Sequence, residues 1–356
     1  MRTGIPDGGG WAYIGGEVVE AVVRESCSTG YAAFMTQTSL TFEDYVLLAS
    51  DDDLKTYKEA MARSDAELWE VSIGDELKSM KDHNVWMLIP RSSVPPDQKI
   101  IPSKIHFATK HNSENVVTRH KSCFVAKGFA QIPGIDFTET YAPVTRLESM
   151  CAILHIGANL DWEIHQMDIK TAFLHGDLKE EIYMEQPEGA KECGKEDWVC
   201  LMHKSLYGLM QGARNWNVKL NNVMVNQLGY HRLAVDHCVY TRSTTEGTSM
   251  IAVHVDDMCV AASSPTEMAR LKSDLGKCFD LVDLGEVKWL LGIGITRDRK
   301  TRTINLSQRV YIEQIAARFN LQDSHPVHNP CDSDTVLSKD MCPKTISLQN
   351  AMKKVP

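Results

Sequence analysis

The sequence predicts an α+β fold built on an antiparallel sheet, and three observations carry that reading. Short runs of β-formers come in pairs around turn chemistry. Amphipathic stretches of helical period fall between the pairs. No regular strand–helix–strand rhythm links them. With 356 residues, 43% of them hydrophobic, the chain can build two or more compact units with their own cores.

Taken in order, residues 1–41 are Gly-rich around a short apolar patch and show no sustained period, which predicts an unmatched, weakly ordered segment. Residues 42–83 read as a connector ending in a helix. Ser64 and Glu67 have capping-box spacing, and Leu68, Trp69, Ile73, Leu77 and Met80 continue a helical stripe to about Asp82. From 84 to 130, the runs VWMLIP, KIHFATK and SCFVAKGF alternate with SSVPPDQ and HNSEN, the pattern of a β-meander. ESMCAILHIGANL is helical in period and ends at Gly157 and Asn159. WEIHQMDI alternates as a strand, EIYMEQP and WVCLMHKSLYGL add two more, and ARNWNVKLNNVMVNQLGY is an amphipathic helix stopped by Gly229. HCVYTRSTTEGTSMIAVHVDDMCVAAS supplies three strands around two turns. A helix with Ser264 as N-cap follows, then the hairpin KWLLGIGITRDRKTRTINLSQ and a closing helix, VYIEQIAARFNL. From Pro330 onward the chain is polar, without a strong period, and reads as a linker.

Composition narrows the function classes. No run of 18 apolar residues occurs, so no membrane span is expected, and the N-terminus lacks the layout of a secretory signal. Ten cysteines are scattered without a CxxC pair, which argues against a zinc site or a disulfide framework and for a reducing, intracellular setting. The net charge of −9 first argues against a polyanionic partner. However, the first hundred residues hold 17 Asp+Glu against 9 Lys+Arg, nearly all of the excess, and the remainder is close to neutral.

The stretch IAVHVDDMCV raises the question of chemistry. Two strand-forming runs flank Asp256 and Asp257, so a tight turn would fix both carboxylates at its tip. Strand alternation puts His254 with Asp256 on one face and Val255 with Asp257 on the other. The plain reading is a solvated turn, in which aspartate is common. The other reading adds Asp168, which ends the alternating strand WEIHQMDI, where an unpaired acid is costly. Three carboxylates from two strands suit two divalent cations of the Mg²⁺ type and phosphoryl transfer.

The ordered set HQMDIKTAFLHGDLKEEIYMEQPEG (165–189), KSLYGLMQGARNW (204–216), VHVDDM (253–258) and DLGEVKWLLGI (283–293) resembles the reverse transcriptase of copia-type long-terminal-repeat retrotransposons, a segment of the Pol polyprotein. VAKGFAQIPGIDFTETYAPVTRLES and LSQRVYIEQIAARFN resemble the same family, and the resemblance runs from about Phe42 to the C-terminus. It implies a right-hand polymerase with fingers, an antiparallel palm sheet and the start of a thumb over 84–325. It also implies a linker over 326–356 toward a ribonuclease H domain outside this chain. By resemblance Asp168, Asp256 and Asp257 are catalytic and hold two Mg²⁺ ions, with Mn²⁺ as an alternative and the Ile169 backbone as a further ligand. Phe173 matches the position under the incoming sugar. Tyr207 and Gly208 match the nucleotide-pocket loop. Lys104, Lys121 and Lys127 match residues facing triphosphate or template phosphates. His254, Gly292 and Ile293 fall at primer contacts. The implied partners are an RNA template, a DNA/RNA primer–template duplex, deoxynucleotides, and the integrase and ribonuclease H of a parent polyprotein in a cytoplasmic virus-like particle.

The departures from the family pattern are Cys123 for a basic residue, Met210 for lysine, Ala213 for proline, His254 for tyrosine and Gly294 for an acid. Three readings stand: an active RNA-directed DNA polymerase, a decayed remnant that binds primer–template without extending it, and an acidic α+β interaction protein.

Overall fold

The computed structural model describes residues 54, 56–111, 117–324, 338 and 342–352. The expected weakly ordered N-terminal segment lies outside these residues. The chain divides into two compact units, Met1–Glu286 and Val287–Pro356.

The first unit begins with two helices, α1 (Tyr57–Met61) and α2 (Ala66–Asp82). A capping box does form, but at α1: Thr56 Oγ1 accepts from the Glu59 N–H and Glu59 Oε2 accepts from the Thr56 N–H, both at 3.2 Å. The expected box at Ser64 is not realised. The N-cap of α2 is Asp65, whose carboxylate is instead held by Arg63 (2.9 Å) and His120 (3.0 Å). Trp69, Ile73 and Met80 are buried as the stripe requires, whereas Leu68 is exposed, since it lies one residue off that stripe.

The meander gives way to two separate arrangements. Strands β3 (Ser103–His111) and β4 (Val117–Ala126) form their own antiparallel hairpin. Strands β1 (Trp86–Pro90) and β2 (Ile100–Ile101) instead join β6 (Asp177–Glu185) and β7 (Trp198–Lys204) in a four-stranded sheet of order β1-β7-β6-β2. The β2–β6 pair is parallel. The apolar runs of β6 and β7 bury Ile182, Met184, Cys200 and Met202 in one cluster with Ile101 and Trp69, a larger buried face than local pairing offers. Along the outer edge of β4, α2 supplies acceptors: Ser72 Oγ for Ser122 N–H (2.7 Å) and Glu76 for Phe124 N–H (3.4 Å). The free edge is thereby closed.

The six-stranded central sheet has the order β12-β5-β11-β10-β9-β8, with every pair antiparallel. Its strands are β5 (Glu163–Ile169), β8 (His231–Arg232), β9 (Val239–Thr244), β10 (Gly247–His254), β11 (Asp257–Ala262) and β12 (Leu281–Glu286). Helix α3 (Leu147–Asn159) packs on β5, β10 and β11. Helix α4 (Gly212–Asn222) runs into a π turn at Val223–Gln227 before Gly229. Helix α5 (Pro265–Gly276) starts as expected, with the Ser264 hydroxyl accepting from the Glu267 N–H, and packs on β10, β11 and β12. Met167, Ile169, Ile251, Val253, Met258 and Val260 meet Trp216, Leu220 and Leu271 in one buried cluster.

In the second unit, β13 (Trp289–Leu290), β14 (Ile293–Asp298) and β15 (Thr303–Ser307) form a three-stranded antiparallel sheet, and α6 (Arg309–Arg318) follows. The stretch read as a linker carries a helix, α7 (Ile346–Met352). Its seven residues are too few for a helical period to show.

Candidate active site

The acidic residues meet through strand register. Asp257 opens β11, where it pairs with His254 of β10 on one side and Asp168 of β5 on the other. Directly opposed residues in an antiparallel pair share a face, so His254, Asp257 and Asp168 lie side by side across three strands. This corrects the alternation argument, which put His254 with Asp256. Val255 and Asp256 are the two residues of the turn, and the strand period stops at His254. Asp256 is fixed through its backbone, its carbonyl accepting the Ile169 N–H at 2.9 Å. The side chain of Ile169 is in the core.

The electrostatics follow from this clustering. The Asp257 carboxyl is pushed above the ordinary carboxylate range, by burial first and by the Asp256 charge second, against a 3.3 Å hydrogen bond donated by Gln166. Tyr207 stands close enough to feel Cys123, Asp256, Glu76 and Asp168. Burial first, and those charges next, raise its phenol and keep it protonated. Phe173 meets Tyr207 edge-on, ring centroids 5.0 Å apart, so two residues expected at the nucleotide pocket do come together beside the acids.

Gly208 shows why the loop needs glycine. Its φ is +85°, and a Cβ would collide with the Ala126 carbonyl oxygen, while one on Gly128 would collide with the Gly208 carbonyl. The Tyr207 carbonyl accepts the Ala126 N–H at 2.9 Å, docking the loop on the end of β4. Lys104 and Lys121 are exposed on the hairpin face opposite Ile105, Phe107 and Phe124, and Cys123 lies on their face. Lys127 follows β4, with its N–H on the Pro102 carbonyl.

A model of the family described as reverse transcriptase (RNA-dependent DNA polymerase) matches residues 83–333. The chain belongs to the reverse transcriptase family. It is 39% identical over 314 residues to a retrovirus-related Pol polyprotein from transposon TNT 1-94 of Nicotiana tabacum, covering 88% of this chain and 23% of that one. It is 31% identical over 293 residues to the Pol polyprotein from transposon RE1 of Arabidopsis thaliana, covering 82% of this chain and 19% of the relative. The copia-type resemblance is therefore borne out, and the chain spans about a quarter or less of these relatives' length. Among solved structures it is similar to a foamy viral protease–reverse transcriptase in complex with double-stranded DNA, at 14% identity and TM-score 0.37, covering 69% of this chain and 36% of that one.

The departures within this reverse transcriptase domain are not equal. Gly294 pairs directly with Trp289, and a Cβ there would sit 3.3 Å from the Trp289 ring. The Trp289 indole therefore lies beside the position where the family pattern has an acid. Ala213 lies in the first turn of α4, where proline is favoured for its fixed φ but alanine propagates the helix well. Met210 is exposed, with only its backbone N–H engaged, on Gln131. Gly292, at φ +76°, and Leu291 form the two-residue turn between β13 and β14, and Ile293 opens β14. Gly292 and Ile293, both expected at the primer, lie in the second unit.

The oxygen donors of Asp168, Asp256 and Asp257, with the Asp257 carboxyl raised by burial first and by the Asp256 charge second, fit a hard divalent cation. As placed, no three acidic, His or Cys side chains among the described residues stand in a metal-holding arrangement. Sequence reasoning also missed Gln166, the donor to Asp257, and Asp236, whose buried carboxylate takes Arg146 N–H (2.9 Å), Ser149 Oγ–H (2.6 Å) and Cys238 N–H (2.9 Å). A Gln in a strand and an Asp in a turn carry no signal of such partners. A separate polar cleft of about 470 Å³ lies between β6 and α4, where Arg214 pairs with Glu139 and Lys219 with Asp177.

Proposed function

We propose that this domain is an RNA-directed DNA polymerase that extends a primer 3′-hydroxyl with deoxynucleotides. The observation that carries the reading is the register that sets Asp168 beside Asp257, with Asp256 in the adjoining turn and Tyr207 and Phe173 close by. Asp168, Asp256 and Asp257, with the Ile169 backbone, are the ligands for two Mg²⁺ ions, or for Mn²⁺. When bound, the pair supplies charge for the attacking and leaving oxygens of an in-line displacement. Phe173 lies under the incoming sugar and excludes a 2′-hydroxyl, backed by the Tyr207 ring. The Lys104–Lys121 face and Lys127 take triphosphate or template phosphates, and His254, Gly292 and Ile293 contact the primer. The RNA template, the primer–template duplex and the other Pol domains are the partners of this reading.

The test is primer extension by the full chain on a primed RNA template with Mg²⁺ and deoxynucleotides, beside Asp256→Asn. Extension is expected to fall by at least a thousandfold in the variant. Equal extension by both proteins would defeat the assignment.

Cys123, Met210 and His254 favour a second reading, a remnant that keeps duplex binding without extension. His254 matters most because it lies directly across from Asp257. Binding of the primed duplex that weakens with salt, with no extension that Mg²⁺ or Mn²⁺ can elicit, is its signature.

A further inference from the structure

The turn that carries the two aspartates is strained. Among the described residues, Val255 (φ +60°) and Thr171 (φ +51°) are the β-branched residues with positive φ, a conformation that crowds a branched Cβ. Strain of this kind persists only where surrounding groups determine the backbone. The Asp256 carbonyl is held by the Ile169 N–H. The Val255 carbonyl is held by a side chain from 39 residues earlier, the Trp216 indole Nε1–H, at 2.7 Å.

The indole is well placed to act as a fixed strut. It has one donor and no acceptor, so burial obliges it to find a carbonyl. Trp216 is 2% exposed, set edge-on to Phe279 (centroids 5.3 Å) and tilted on His175 (5.9 Å), so it has little room to turn away. Its carbonyl partner belongs to the peptide that joins Val255 to Asp256. Orienting that peptide sets the direction in which Asp256 leaves the backbone, and through the chain that of Asp257.

We infer that Trp216 is a positioning residue for the aspartate turn, its indole N–H holding Val255 in the left-handed conformation that presents Asp256 and Asp257. This rests on the polymerase reading for its consequence in activity, but not for its consequence in the fold.

Four full-length chains test it: the parent, Trp216→Phe, Val255→Gly and the double variant. Phenylalanine keeps a large ring and removes the N–H, and glycine adopts positive φ without strain. In the parent background Trp216→Phe is expected to lower the primer-extension kcat about tenfold, with the deoxynucleotide KM within about twofold. In the Val255→Gly background the same change is expected to cost less than about twofold. Equal losses in both backgrounds would reduce Trp216 to space-filling and overturn the inference. If the parent does not extend a primer, the polymerase reading fails, whether or not Mn²⁺ binds in a calorimetric titration, and the same four chains are compared by urea unfolding. A midpoint drop from Trp216→Phe at least twice as large in the parent as in Val255→Gly upholds the strut, and equal drops overturn it.

Discussion

At the scale of single residues, the acidic cluster is a stability cost. Asp257 has its carboxyl raised by burial and then by Asp256. A carboxyl raised in the folded state contributes stability below its unfolded value, and that contribution is lost as pH rises through the raised value. Burial beside Asp256 therefore disfavours the ionised form of Asp257 in the cation-free protein. Asp257→Asn is expected to stabilise the cation-free protein on the order of 1 kcal/mol at pH 7. The gain should shrink toward zero near the ordinary aspartate value of 3.8, and added Mn²⁺ should no longer raise the melting temperature. Urea unfolding in a chelator at pH 7 and pH 4 measures the stability gain, thermal melts with and without Mn²⁺ measure the metal effect, and destabilisation at pH 7 would contradict the first. That Asp168 and Asp257 meet across neighbouring strands is set by the register. The face of His254 was not legible in the sequence, because alternation fails at a two-residue turn whose length only the strand register reveals.

At the scale of elements, the fold repeatedly satisfies one segment with side chains from a distant one. Helix α3 has no side-chain cap of its own, its N-cap position being Arg146. Asp236, in the turn before β9, fills the role by accepting from the Arg146 N–H and the Ser149 hydroxyl while its other oxygen takes the Cys238 N–H. An anion there also meets the positive end of the helix. Asp236→Asn keeps the shape but turns an N–H₂ toward donors, so it is expected to cost about 2 kcal/mol in urea unfolding. A cost below 0.5 kcal/mol would mean that water replaces the carboxylate. The helices and their stops were readable from period and Gly229, and Ser264 capped as its spacing required. Ser64 did not, because Arg63 and His120 compete for the adjacent Asp65 and shift the start of α2 by a residue.

At the scale of the whole molecule, a net charge of −9 means that the proposed nucleic-acid binding would rest on local surfaces rather than on the overall field. On the proposed reading, the exposed Lys104–Lys121 face of the β3–β4 hairpin is the surface to test. Replacing both lysines with alanine is expected to reduce the slope of log affinity against log salt for a primed duplex by about 2, near 0.9 per contact. An unchanged slope would place the duplex elsewhere. The amino-acid sequence by itself determined the α+β class, most of the strands and helices, and the family, because hydrophobic period, turn chemistry and motif order are local properties of the chain. Tertiary structure alone decided that β1 and β2 join β6 and β7 rather than each other, that the Trp289 ring lies beside Gly294, and that the indole of Trp216 grips the Val255 carbonyl. Each of these depends on which distant group satisfies a buried face or a buried polar atom, and no local pattern encodes that choice.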